Sequence, residues 1–253
     1  MSVRVYKLGG PALEDPELLP AMVDEIRRAP GRVLVVHGGG RHVERALQER
    51  GLESRFVGGR RQTSPEAMAV VEMVLSGLVN KGLAAGFTAA GLPSVGLSGR
   101  DAGLLRARVE PGLGRVGQPE GVDPRVLEAA WSAGLVPVVS PVALGHDGGA
   151  LNVNADEAAL ALAVAVHAET LVYLSDVDGV RLGGAAVEVL TAEEARRHVA
   201  RGEIAGGMAM KVETALQAVA AGVAEVVVAG KARLLGGFAG TRLGAAPRTE
   251  ARP

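Results

Sequence analysis

The feature that most constrains this chain is a series of short, mainly apolar, Val-rich runs separated by segments of helical spacing. Val3–Leu8, Arg32–Val36, Ser94–Leu97, Leu135–Val139, Thr170–Leu174 and Glu225–Val228 read as strands. A strand with one wet face alternates apolar and polar residues, whereas runs this apolar are buried on both faces. The spacing predicts helices over Glu17–Arg28, with Leu18, Met22, Val23 and Ile26 inward, and over Arg41–Arg50, with Val43, Ala46 and Leu47 inward. Further helices are predicted from Pro65 through Lys81 or beyond, and over Pro124–Ala133, Asp156–His167, Ala192–Arg201 and Lys211–Ala221. Buried strands alternating with helices give an α/β chain, a three-layer α/β/α sandwich on a mostly parallel open sheet. Ligands of such sheets sit beyond the carboxyl ends of the strands. Residues 105–123 read as a hairpin or loop excursion, and 141–154, rich in Gly and Asn, as a functional loop.

Composition narrows the chemistry. The formal net charge of −1 gives no bulk attraction to nucleic acid or to a membrane surface. With no cysteine, disulfides, thiolate metal sites and a cysteine nucleophile are excluded. The apolar stretch Ala158–Ala168 is too short to span a bilayer. The first residues lack the apolar core of a signal peptide. A cytoplasmic protein is the expectation. Only four lysines, Lys7, Lys81, Lys211 and Lys231, stand among 27 basic residues. A lysine kept where arginine is so favoured suggests a need for a compact ammonium.

Two glycine turns, Lys7-Leu8-Gly9-Gly10 and His37-Gly38-Gly39-Gly40, follow predicted strands directly. Glycine lets the backbone approach an anion, and a following helix N-terminus supplies free N–H donors. Either turn is also simply what a tight strand–helix connection requires. Neither a G-x-G-x-x-G fingerprint nor a G-x-x-x-x-G-K-[ST] loop is present. Lys7 ends a buried strand, where an unpaired ammonium is costly, so it should point out of the carboxyl edge toward an anion. Lys211 reads equally well as a solvated residue opening a helix and as a partner of Lys7. Together the two would clamp a transferring phosphoryl group, whose transition state spreads negative charge over its oxygens.

In Leu151-Asn152-Val153-Asn154-Ala155-Asp156 the asparagines alternate as on an extended segment ahead of a helix. They are either capping and turn residues, or Asn152 donates to a substrate and Asp156 orients the flanking lysines. Ser175-Asp176-Val177-Asp178-Gly179-Val180 is an acidic turn, a ribose- or base-contacting loop, or a metal site without EF-hand spacing. Arg61, in Gly59-Arg60-Arg61-Gln62-Thr63, suits bidentate carboxylate binding. His37 and His42 read as structural, since neither sits in a triad or zinc pattern.

KLGG, VVHGGG, G-x-R-x-T, GLVNK, GLSGRD, PVVSPVA, LNVNAD, LVYLSDVDGV, GGMAMKV and a closing Gly240-Thr241-Arg242 occur in this order, and the series covers essentially residues 3–243. The series resembles the amino-acid kinase superfamily, and most closely its acetylglutamate kinases. That resemblance implies ATP-dependent phosphorylation of the γ-carboxylate of N-acetyl-L-glutamate to an acyl phosphate, in arginine biosynthesis. It implies ATP carrying Mg2+, held mainly by the phosphates with no protein metal site. By motif, Lys7 and Lys211 would stabilise the transition state and Asp156 would organise them. Gly39, Gly40, Arg61 and Asn152 would bind the acyl-amino acid. Gly9 and Gly10 would approach the phosphates, and Asp176, Val177, Asp178, Gly179 and Val180 would belong to the nucleotide site. Residues 1–173 would form the lobe for the acyl-amino acid and dimerisation, and 174–253 the lobe for ATP. A homodimer insensitive to arginine is implied, with no nucleic-acid or membrane partner. Arg60 stands where the family usually has an apolar residue. The rival readings are a kinase acting on carrier-bound aminoadipate and a non-catalytic amino-acid-binding regulator. Retained HGGG and Arg61 argue against the first, and both lysines with Asp156 against the second.

Overall fold

The computed structural model describes residues 1–10, 13, 15, 17–238 and 240–244. Pro11 of the first glycine turn and the last nine residues of the second predicted lobe lie outside them. The strands are β1 (Val3–Leu8), β2 (Arg32–His37), β3 (Arg55–Val57), β4 (Arg60–Gln62), β5 (Ser94–Ser98), β6 (Leu105–Val109), β7 (Val116–Val122), β8 (Val136–Ser140), β9 (Val142–Gly145), β10 (Ala150–Val153), β11 (Thr170–Leu174), β12 (Arg181–Leu182), β13 (Ala185–Ala186), β14 (Val189–Thr191), β15 (Glu225–Ala229) and β16 (Thr241–Gly244). The helices are α1 (Leu18–Arg28), α2 (Gly40–Gln48), α3 (Pro65–Glu72), α4 (Asn80–Ala89), α5 (Arg125–Ser132), α6 (Ala155–Ala165), α7 (Ala192–Ala200), α8 (Gly206–Ala220) and α9 (Lys231–Leu234).

Eight strands form one sheet in the order β14-β16-β15-β11-β1-β2-β8-β5. Every neighbouring pair is parallel except β15 with β16. The six predicted sheet strands are all in it, as their two-sided burial required. Strand alternation sorts their side chains into two cores. Val5, Leu34, Val36, Leu171 and Tyr173 pack in the layer with α6 and α8. Tyr6, Leu8, Val33, Val35 and Val172 pack with α1 and α4. Lys7 shares the parity of Val5, so it points toward α6 and α8. From β1 the chain runs to β2 on one side and only later places β11 on the other. The carboxyl end of β1 is therefore a topological switch point, the standard ligand position in such sheets.

A four-stranded closed unit, β10-β7-β6-β9, sits beside this sheet. The excursion at 105–123 is its hairpin, β6 with β7. The stretch 141–154, expected as a loop, instead supplies β9 and β10, paired antiparallel around a turn. Its glycines mark the turn and close packing, not an open loop; a Cβ at Gly145 would lie 2.8 Å from Asp147.

The helix expected from Pro65 runs on to Ala89, with a π-helical segment at Met73–Val79 joining α3 to α4. By length and composition these 25 residues could cross a bilayer, but half of the apolar window is buried in the protein. Val70, Val71, Val74, Leu75 and Phe87 are core residues. Such a helix is what the centre of an α/β domain requires.

Candidate active site

Lys7, Asp156 and Lys211 converge beyond the end of β1. Lys7 Nζ lies 2.8 Å from Asp156 Oδ1, and Lys211 Nζ donates to Asp156 Oδ2 at 2.9 Å. All three are about nine-tenths buried, at 7%, 8% and 8% exposure. Asp156 enters on the first turn of α6, because Asn154 caps that helix. The Asn154 Oδ1 accepts from the N–H groups of Asp156 and Glu157. The cap therefore lies two residues ahead of the expected start at Asp156. Lys211 does not open a helix, as its spacing suggested. The helix α8 begins at Gly206, and Lys211 sits in its second turn on the buried side. Two glycines at the start of α8, poor helix formers, hid those first residues from a periodicity reading.

Burial alone would raise the Asp156 carboxyl, but the ammoniums of Lys7 and Lys211 outweigh it and hold the group at about 2. Burial lowers Lys211, Lys7 adds to that, and Asp156 opposes both. Lys211 Nζ also stands 5.5 Å from the centre of the Tyr173 ring, a cation–π contact. Tyr173 pairs with Lys7 across β11 and β1, so one pair of strands positions both. Burial, with Asp156 nearby, keeps its phenol well above the usual value. Tyr173 carried no sequence signal, since an aromatic in a buried strand reads as core.

The glycine turns meet at the same edge. Gly9 N donates to Leu174 O and Gly38 N to Leu8 O, both at 2.9 Å. A Cβ on Gly10 would stand 3.4 Å from Gly40 N, so the second turn's amides face the first turn. Gly39 has φ of 153° and precedes α2, whose N-terminus has no side-chain cap. The first-turn amides of α2 are thus left for an anion. His37, under this turn, is fully buried. Its Nδ1 donates to Gly38 O at 2.7 Å and its Nε2 accepts from Asn80 Nδ2 at 3.1 Å. Burial pushes its pKa down to about 4, which keeps the ring neutral. The structural role expected for His37 is the one it has.

Beside these amides lies a cleft of about 140 Å³ lined by Gly39, Gly40, Arg60, Arg61, Leu75 and Asn152 among others. Arg61 reaches it from β4, but its guanidinium already bonds Glu44, Ser54 and, at 3.1 Å, Gly40 O. It also stacks 4.5 Å from the Phe56 ring centre. Asn152 Nδ2 donates to Thr63 Oγ1 at 3.1 Å, and Thr63 is fully buried. The structure thus brings Gly39, Gly40, Arg61 and Asn152 together in one cleft, with Thr63 as an unforeseen support.

On the other side of β1, the segment after β11 begins a second cleft, about 270 Å³, lined by Asp15, Leu174, Ser175, Asp176, Asp178 and Lys231. Asp176 contributes to the field at Lys211. Val177 is half-buried between these acids. Gly179 approaches Thr241, and a Cβ there would lie 2.7 Å from its Oγ1. Val180 is core, with its N–H donating to Thr241 Oγ1 at 2.8 Å. Among the described residues no group of three or more His, Asp and Glu side chains is arranged to hold a metal ion. The lysine argument holds for only part of its set. Lys81 donates to Gly96 O at 2.5 Å, and Lys231 pairs with Asp15 and Glu17 at 2.6 and 2.9 Å.

A switch-point site with two buried ammoniums on one carboxylate, flanked by two anion-ready glycine turns, defines an α/β enzyme of the group-transfer kind. The model of the amino acid kinase family matches residues 2–230. An acetylglutamate kinase of Rubrobacter xylanophilus is 44% identical over 257 residues, covering 99% of this chain and 98% of that one. Another, of Geobacillus kaustophilus, is 44% identical over 235 residues, covering 90% of each. The solved structure of smu.665 from Streptococcus mutans superposes with a TM-score of 0.85 at 28% identity, covering 96% of this chain and 99% of that one. The chain belongs to the amino acid kinase family, and within it to the acetylglutamate kinases.

Proposed function

We propose that the chain transfers the γ-phosphoryl group of ATP to the γ-carboxylate of N-acetyl-L-glutamate, giving an acyl phosphate in the arginine route. The observation that carries this is the Lys7–Asp156–Lys211 constellation beyond the end of β1. A carboxylate acceptor is ionised at neutral pH and needs no general base. What remains is in-line positioning and neutralisation of the charge on the transferring group. Lys7 and Lys211 supply two fixed ammoniums, and Asp156 holds both in place. Amides at Gly10 and at Gly39–Gly40 donate to phosphate and carboxylate oxygens. Arg61 and Asn152 fix the acyl-amino acid.

The two-lobe division follows from this reading, with residues 1–173 taking the acyl-amino acid and 174–253 taking ATP. Gly9, Gly10, Asp176, Val177, Asp178, Gly179 and Val180 form the nucleotide side, of which Val180 acts through packing. Magnesium would arrive with the nucleotide, held mainly by its phosphates, and would offset their charge. A homodimer and a cytoplasmic setting complete the proposal. Support for the dimer comes from β5, an edge strand, and from Met73 and Leu78 beside it, 51% and 67% exposed. An ATP-coupled assay across acetylglutamate, aspartate, carbamate and aminoadipate tests the acceptor. Turnover confined to acetylglutamate is expected, and none with it under ATP and magnesium would overturn the assignment.

A further inference from the structure

The β3–β4 hairpin is a two-stranded ribbon of three residues a side. Such a ribbon has little stability of its own, and Arg55, Phe56 and Val57 are all exposed. Yet it carries Phe56 and Arg61 to the acyl-amino-acid cleft. Two contacts at its turn fasten it to the catalytic helices. Arg60 reaches Glu157 on α6 with two of its guanidinium nitrogens, Nη2 donating to Oε1 and, at 3.3 Å, Nε to Oε2. Gly59 lies against Met210 on α8, where a Cβ would come 2.2 Å from Cε. Glu157 is the next residue after Asp156, and Met210 is the residue before Lys211. The Arg60 and Glu157 side chains are only 25% and 20% exposed. Hydrogen bonding to Glu157 raises the Arg60 guanidinium, with Glu110 adding a further favourable field.

We infer that Arg60 and Glu157 form a latch that holds the β3–β4 hairpin closed over the acyl-amino-acid cleft, so both are positioning residues for the acceptor. Arg60 lines both that cleft and a larger one, of about 590 Å³, which Glu157 also lines together with Gln118, Leu160 and Gln217. Opening the latch would join the two spaces and leave the hairpin held near the cleft by the Arg61 contacts to Glu44, Ser54 and Gly40 O, with its turn no longer fastened to α6. A closed, binding-competent fraction below one weakens the apparent acceptor affinity by that fraction and leaves the bound complex unchanged.

The kinetic arm rests on the acceptor assigned above; the exchange arm does not. Arg60→Leu and Glu157→Gln in the full chain should each raise KM for N-acetylglutamate about 3- to 10-fold, with kcat within about twofold of the parent. The charge swap Arg60→Glu with Glu157→Arg should recover most of the loss. Hydrogen exchange of the amides of residues 55–62, measured without substrate, should be faster in both single variants and return toward the parent in the swap. The sign at Glu157 is decisive. If Arg60 served instead as a direct substrate ligand, Glu157→Gln would free it, remove a negative charge and lower KM. A lowered KM, or hairpin exchange equal to the parent in both single variants, would overturn the latch. A parent with no turnover of acetylglutamate would sink the acceptor assignment, and the exchange measurement would then decide the latch by itself.

Discussion

Lys7 and Lys211 are compact point charges held on one carboxylate, and a guanidinium cannot take that place without displacing its neighbours. Lys7→Arg and Lys211→Arg should each lower kcat by on the order of 10²-fold, the scale for losing one preorganised transition-state donor. Steady-state kinetics at saturating acceptor and ATP check this, and parent-like rates would reject the clamp. His37 gives a pH signature away from the chemistry. Its folded pKa is about 4 against an ordinary 6.5. Below pH 6.5 the unfolded chain takes up a proton that buried His37 refuses, so stability is complete above 6.5 and falls as pH drops toward 4. That loss is on the order of 3 kcal/mol. Urea unfolding at several pH values should show it, and His37→Gln should flatten the slope in that window. At this scale the sequence was partly readable. Lys7 declared itself because a cation ending an apolar strand needs a reason. Lys211 did not, because its helix starts with two glycines and its burial comes from α6 and β11, far away in sequence.

Among the elements, six strands of the sheet, β1, β2, β5, β8, β11 and β15, were legible because burial on both faces writes a continuous apolar run, whereas the short β14 and β16 at the other edge were not read. The β6–β7 hairpin was read only as a hairpin or loop excursion, and β9–β10 was missed, because a small closed unit tolerates glycine and polar residues within its strands. The β3–β4 hairpin could have been found. Gly58-Gly59, with φ of 54° and 77°, is the two-residue turn that hairpins favour. The turn before α2 makes a strict demand on its glycine. At Gly39 φ is 153°, and a Cβ would stand 2.7 Å from Leu75 Cδ2. Gly39→Ala should therefore cost about 1–3 kcal/mol in backbone strain. It should also raise KM for the acyl-amino acid more than for ATP, because the displaced amides belong to that cleft. Thermal melts together with KM for both substrates distinguish this from a purely structural loss.

For the whole molecule, one eight-stranded sheet runs through both proposed lobes, with β1 and β11 adjacent at its centre. The lobes therefore share a rigid floor. The proposed dimer uses the other end of that sheet. Replacing Leu78 or Met73 with Glu should shift the protein to monomer in sedimentation equilibrium, without loss of helix content by circular dichroism. A parent that sediments as a monomer would reject the interface. Architecture at this scale was readable because strand–helix alternation leaves few arrangements. The two-core division by strand parity, which aims Lys7 at α6 and α8, became visible only with the register known.

The buried pairing of Lys7, Asp156 and Lys211 has a consequence for how this protein can change over generations. Two positive groups share one negative partner in a dry place, so the trio carries a net positive charge that the fold tolerates but does not need. Exchanging one ammonium for an apolar side chain of similar length would relieve that repulsion, and the chain would be sturdier and inert. Selection for robustness alone would favour that exchange, and only selection for activity would oppose it.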